Sequence, residues 1–132
     1  MRVLVDTSVW SLALRKGGPA LHPSVERLTA LLRRGEDVFL LGIILQEVLQ
    51  GFRSERTADR LHRRLEPFEL LPLERRNYVA AARLRRRCIS RGVTPSTIDS
   101  LIASAAIAHR CRLLTADEDF QHISRVTTLR VL

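Results

Sequence analysis

Lysine is nearly absent from this chain: of 22 basic residues only Lys16 is not an arginine. Cysteine is scarce as well. Cys88 and Cys111 lie on opposite sides of a predicted helix and match no metal-ligand spacing. With no secretion signal to accompany them, they read as reduced, packed thiols, which excludes a disulfide framework or a zinc site. The opening residues, Met1-Arg2-Val3-Leu4-Val5-Asp6, put an acid where a signal peptide needs apolar side chains. The longest apolar stretch, residues 38–45, is far too short to span a bilayer. A cytoplasmic protein with no membrane partner is expected. Aromatics number six, too few to suggest base-stacking platforms, and no repeat or low-complexity tract is present.

What is there is a chain of 132 residues, 45% hydrophobic, with a formal charge of +8. That length suits one domain covering residues 1–132, with enough apolar material for a real core. Guanidinium groups pair bidentately with phosphate and with carboxylate, so the surface suits nucleic acid or an acidic protein; a GC-rich coding sequence is the bland source of the same composition.

Patterning predicts alternating strands and helices. Residues 3–5, 38–41, 68–71, 112–115 and 126–132 read as strands, most of them short, unbroken aliphatic runs of the kind buried on both faces. A first helix follows Asp6-Thr7-Ser8. Further helices are expected over 24–34, from Ile44 to Phe52, over 54–65, over 74–91 and from Ile98 to His109, with a turn or short helix over 117–122. The alternation implies an α/β fold, with a mainly parallel central sheet flanked by helices on both faces.

In such a sheet, sites form beyond the carboxyl ends of the strands. Four acids fall there: Asp6 after the first strand, Glu47 in the helix after the second, Asp99 in the first turn of a helix, and Asp117 just past the fourth strand. Singly, each has an ordinary reading. Asp6 caps a helix, Glu47 is solvated, Asp99 completes a capping box with Ser96, and Asp117 and Asp119 are turn residues. Gathered in one pocket, carboxylates repel, raise one another's pKa and destabilise the fold unless a cation sits among them. Oxygen-only ligands suit a hard ion, Mg²⁺ or Mn²⁺, which also favours phosphate oxygens.

The residues that carry these acids form motifs. Asp6-Thr7-Ser8-Val9-Trp10, the isolated Glu47, Thr97-Ile98-Asp99-Ser100-Leu101-Ile102-Ala103 and Leu113-Leu114-Thr115-Ala116-Asp117-Glu118-Asp119-Phe120 resemble, in that order, the PIN-domain ribonucleases. Among these the chain is most similar to the VapC toxins of bacterial type II toxin–antitoxin systems, over nearly its whole length. The resemblance implies an Mg²⁺-dependent endoribonuclease, typically a homodimer, held inactive by a cognate VapB-like antitoxin. It implies Asp6, Glu47, Asp99 and Asp117 as the acidic quartet, with Asp6, Asp99 and Asp117 on the metal. Thr7 or Ser8, Thr115 and Asp119 would support them. Cleavage would leave a 5′-phosphate and a 3′-hydroxyl. The RNA target is not implied.

Other readings fare worse. A haloacid-dehalogenase-like phosphatase needs a second Asp where Ser8 stands, and a response-regulator receiver needs a late lysine. A serine hydrolase needs a Gly-x-Ser-x-Gly elbow, which is missing. A PIN-fold RNA-processing nuclease outside a toxin–antitoxin pair, or a scaffold with no catalysis, remain as alternatives; the intact quartet speaks against the scaffold. Trp10 belongs either to the core or to a groove for an antitoxin helix. The arginines of residues 60–64 and 83–91 form either a solvated face or a track for RNA.

Overall fold

The computed structural model describes residues 1–132. At its centre is β1 (Arg2–Val5), where Val3, Leu4 and Val5 are all wholly buried. Successive strand side chains point to opposite faces, so both faces of this strand are covered. It pairs in parallel with β2 (Asp37–Leu40) on one side and β4 (Arg112–Leu114) on the other, and β3 (Glu69–Leu70) extends the sheet beyond β2, giving the order β3-β2-β1-β4. A run such as Val-Leu-Val has no polar face to offer water, which is why it takes the middle of the sheet.

Two groups of helices cover the sheet. In the first, α1 (Thr7–Ala13) packs against both α2 (Pro23–Arg33) and α3 (Gly42–Gln50), and α3 packs against α4 (Glu55–Leu65). The second group is α5 (Arg75–Ser90), α6 (Thr97–Ala108) and α7 (Asp119–Val126). The α6 helix is the most deeply set, with Ile102, Ala103, Ala105 and Ala106 all buried; small alanines let it approach the sheet closely. Trp10 lies in the core against Phe68, ring centres 5.1 Å apart, with its indole N–H unpartnered. Cys88 and Cys111 are free and buried, and burial pushes both thiols up.

The fold class is as the alternation implied, but two strands differ from expectation. The expected strand over 126–132 reduces to one parallel bridge between Leu113 and Val131. Helix α7 continues to Val126, and Thr127 then turns the chain: its hydroxyl donates to the Ile123 carbonyl at 2.8 Å and accepts the Leu129 N–H at 3.2 Å. Only residues 130–132 remain to reach the sheet edge. The strand over 68–71 likewise shrinks to Glu69–Leu70, because Phe68 still closes the turn after α4 by donating to the Leu65 carbonyl. Two α5 arginines serve as ties. Arg85 Nε donates to the Pro95 carbonyl at 2.9 Å, and Arg91 Nη1 to that of Val126 at 2.7 Å.

Candidate metal centre

The chain runs from β1 outward through β2 to β3, then returns to place β4 on the other side of β1. That reversal opens a crevice beyond the carboxyl ends of β1 and β4. Asp6 stands at its edge, since its N–H extends the ladder by donating to the Leu114 carbonyl at 2.9 Å. Its carboxylate is buried and held by three donors. Oδ1 accepts the Thr7 N–H at 2.7 Å; Oδ2 accepts the Ser8 hydroxyl at 2.8 Å and the Thr115 hydroxyl at 2.9 Å. An ionised carboxylate has about four acceptor positions, so one is left for a cation or a water. Asp6 therefore caps α1 and serves the crevice at the same time.

The hydroxyls relay this order outward. Ser8 Oγ accepts the Ala116 N–H at 3.0 Å, and Thr115 Oγ1 accepts that of Asp117 at 3.0 Å. Asp117 Oδ1 in turn accepts the Asp119 N–H at 2.9 Å. Glu47 arrives from α3, where its Oε1 accepts the Thr7 hydroxyl at 2.8 Å. Thr7 thus bridges Asp6, through its N–H, and Glu47, through its hydroxyl.

Asp99 enters from the first turn of α6, where the Ser96 hydroxyl caps the helix by accepting the Asp99 N–H at 3.0 Å. Carboxylate oxygens of Asp99, Asp117 and Asp119 all lie within 4.8 Å of one another. The Asp99 carboxyl is pushed up to about 6, first by burial and then by the charges of Asp117, Asp6 and Asp119; a hydrogen bond with Ser96 works weakly the other way. Repulsion of this kind is relieved by a cation, and an all-oxygen donor set with no His or Cys fits a hard divalent ion. The residues therefore fit Mg²⁺ or Mn²⁺.

Three of the four acids named from the sequence, Asp6, Asp99 and Asp117, come together at this crevice, and Glu47 is tied to its edge. Asp99 and Asp117 form its tightest part, Asp6 acts on Asp99 through its charge, and Glu47 is linked through Thr7. Asp119, assigned a supporting part from the sequence, sits in the closest trio instead. Its spacing two residues after Asp117, at the head of α7, is the signal that marks it.

A PIN domain family model matches residues 3–126. The chain belongs to the PIN-domain family. Within it, this PIN domain is 32% identical to Ribonuclease VapC11 of Mycobacterium tuberculosis, over 97% of this chain and 96% of that protein. Among solved structures it is similar to FitAcB from Neisseria gonorrhoeae, with a TM-score of 0.75 and 27% identity over 98% of this chain and 96% of the other. It also shares its fold with VapBC2 from Rickettsia felis, solved bound to a promoter DNA fragment, at a TM-score of 0.80 and 22% identity, covering 100% and 98% of the two chains. Membership in this family rules out the phosphatase, receiver and serine-hydrolase readings. No helix of the PIN domain is long and apolar enough to cross a membrane.

Proposed function

We propose that residues 1–132 act as one nuclease domain: a divalent-metal-dependent endoribonuclease, the cytoplasmic toxin of a VapBC-like pair, inhibited by a cognate VapB-like antitoxin and working as a homodimer. The observation that carries the nuclease reading is the convergence of Asp99, Asp117 and Asp119 within 4.8 Å, beside an Asp6 carboxylate fixed by three donors. The near-complete alignment with VapC11, a ribonuclease by name, supports the substrate and the toxin assignment.

Asp6, Asp99 and Asp117 would hold Mg²⁺ or Mn²⁺, with Asp119 at hand to complete or share the set. Such an ion, when bound, supplies neutralisation of phosphoryl oxygens and a lowered pKa for water. The protein's own contribution is arrangement. Ser8, Thr115 and the Thr7 N–H hold Asp6 in one orientation, so no reorganisation is needed as negative charge builds on the phosphoryl oxygens. Glu47, with one oxygen fixed by Thr7, has its other oxygen free to orient an attacking water and accept its proton. Attack in line by that water forms the new P–O bond as the P–O3′ bond breaks; the 3′-oxygen takes up a proton from solvent to become the 3′-hydroxyl, and the phosphate stays on the 5′ end.

The test is cleavage of RNA by the purified chain. Cleavage stops in EDTA, returns with added Mn²⁺, and yields 5′-phosphate and 3′-hydroxyl ends. Cyclic 2′,3′-phosphate products, or cutting that persists in EDTA, would sink the proposal.

A further inference from the structure

A cleft of about 830 Å³ opens between the loop after α1 and the α3–α4 hairpin. Arg15 and Lys16 line it from that loop, Arg53 from before α4, and Arg60 and Arg64 from α4; no acid does. Helix α4 also carries Glu55 and Asp59, but neither lines the cleft. All five cationic side chains are exposed, and none belongs to the protein's two ion pairs, which join Met1 to Glu36 and Arg76 to Glu74. Arg60 and Arg64 stand one turn apart on the same face of α4. Crowding five positive charges without a counter-acid costs stability, and a polyanion relieves it.

The cleft begins about one helical turn from the edge of the acidic crevice. Thr7 and Glu47 are joined by a hydrogen bond at one corner of that crevice. Four residues on in each case, Ser11 of α1 and Gly51, the C-cap of α3, line the cleft. Negative side chains at one end and positive ones along the rest are the arrangement needed for one phosphate at a cation site and its neighbours on guanidinium groups.

We propose that this cleft is the track for single-stranded RNA flanking the cut, with Arg53, Arg60 and Arg64 as its phosphate-binding residues. The assignment rests on the ribonuclease reading for its choice of RNA, and it is tested separately from catalysis. An acidic protein segment is the other polyanion that fits the charge. RNA is favoured because a strand cut at the acids already has its neighbouring phosphates beside the cleft.

The experiment measures binding of a fluorescein-labelled single-stranded RNA of about a dozen nucleotides, in EDTA, across a salt series. The wild type is compared with Arg60→Gln/Arg64→Gln and with Arg86→Gln/Arg87→Gln, a pair on α5 outside the cleft that removes equal charge. Losing two phosphate contacts lowers the log–log salt slope by about 1.4 for single strands, and in Mg²⁺ raises KM roughly tenfold with kcat unchanged. The α5 pair leaves the slope at its wild-type value. Equal changes in both variants, or none in the cleft variant, overturn the proposal. An oligoglutamate peptide that binds the wild type and loses binding in the cleft variant, with the RNA slope unchanged, gives the cleft to an acidic protein and also overturns it. A wild type that cuts nothing in Mg²⁺ while the cleft variant shows the slope change loses the nuclease reading and keeps the cleft.

Discussion

Asp6 does two things that a sequence reader weighs as alternatives. It caps a helix through the Thr7 N–H and presents an acid to the crevice. Asp6, Asp99 and Asp117 were legible from the sequence because each follows a strand or falls in the first turn of a helix; Glu47, in the middle of α3, was legible only through the resemblance. The hydroxyls that aim them were only partly legible, since a Ser or Thr gives no hint of which carboxylate it will meet. Thr115 shows this: it lies 109 residues from Asp6 and donates to Oδ2 at 2.9 Å. Thr115→Val keeps the shape and removes the donor, so metal affinity measured by Mn²⁺ titration should fall about 10- to 100-fold, with thermal stability little changed. Asp99 carries the pKa consequence. An acid raised from about 4 to about 6 makes the native state hold its proton more tightly than the unfolded chain does. That contribution is complete below about pH 4 and is lost as pH rises through about 6. In EDTA, urea melts should therefore show stability declining across that window by about 1–2 kcal/mol, a figure reduced for partial solvation. Asp99→Asn abolishes the decline, and saturating Mn²⁺ opposes it. A flat pH profile in EDTA would contradict the electrostatic account.

At the scale of elements, the acids depend on caps and turns as much as on helices and strands. Ser96 is the N-cap that starts α6 at the point where Asp99 falls in the first turn. Ser96→Ala should cost about 1 kcal/mol in urea denaturation and should lower cleavage more than that loss of stability explains, because Asp99 is no longer held by its backbone N–H. An equal loss of stability with full cleavage would mean that Asp99 needs no such anchor. The two strands that fell short of expectation have a common cause. Residues 126–132 and 68–71 are apolar enough for a sheet, but neighbouring turns claim their first residues: Thr127 against Ile123, and Phe68 against Leu65. Periodicity reports burial; it does not report which hydrogen bond a backbone group will choose. The arginines illustrate the same limit. Arg85 and Arg91, read as a solvated face or an RNA track, tie α5 to its neighbours instead, whereas Arg15 and Lys16, far apart in sequence from Arg53, Arg60 and Arg64, share a cleft with them.

For the whole molecule, the strand order decides where chemistry can occur. Parallel pairing and helical cover followed from the alternation of aliphatic runs and amphipathic segments. The placement of β4 beside β1, which opens the crevice between Asp6 and Asp117, is a matter of topology that no local pattern displays. The result is a protein of net charge +8 in which Asp6, Asp99, Asp117 and Asp119 gather where a cation is wanted, while the arginines are left almost entirely without ion-pair partners. If these acids bind a divalent ion, binding should stabilise the chain: at about 100 times Kd the gain is about 2.7 kcal/mol, readable as a rise in Tm with Mn²⁺ concentration. The central claim is that distant acids act as one cation-dependent centre for cutting RNA. Its most direct test compares the wild type with Asp6→Asn, following Mn²⁺ binding by calorimetry and RNA cleavage in the same preparations. The variant, correctly folded by circular dichroism, should bind Mn²⁺ at least about 10-fold more weakly and cut at least about 100-fold more slowly. An Asp6→Asn protein that binds Mn²⁺ and cuts RNA like the wild type would contradict the account.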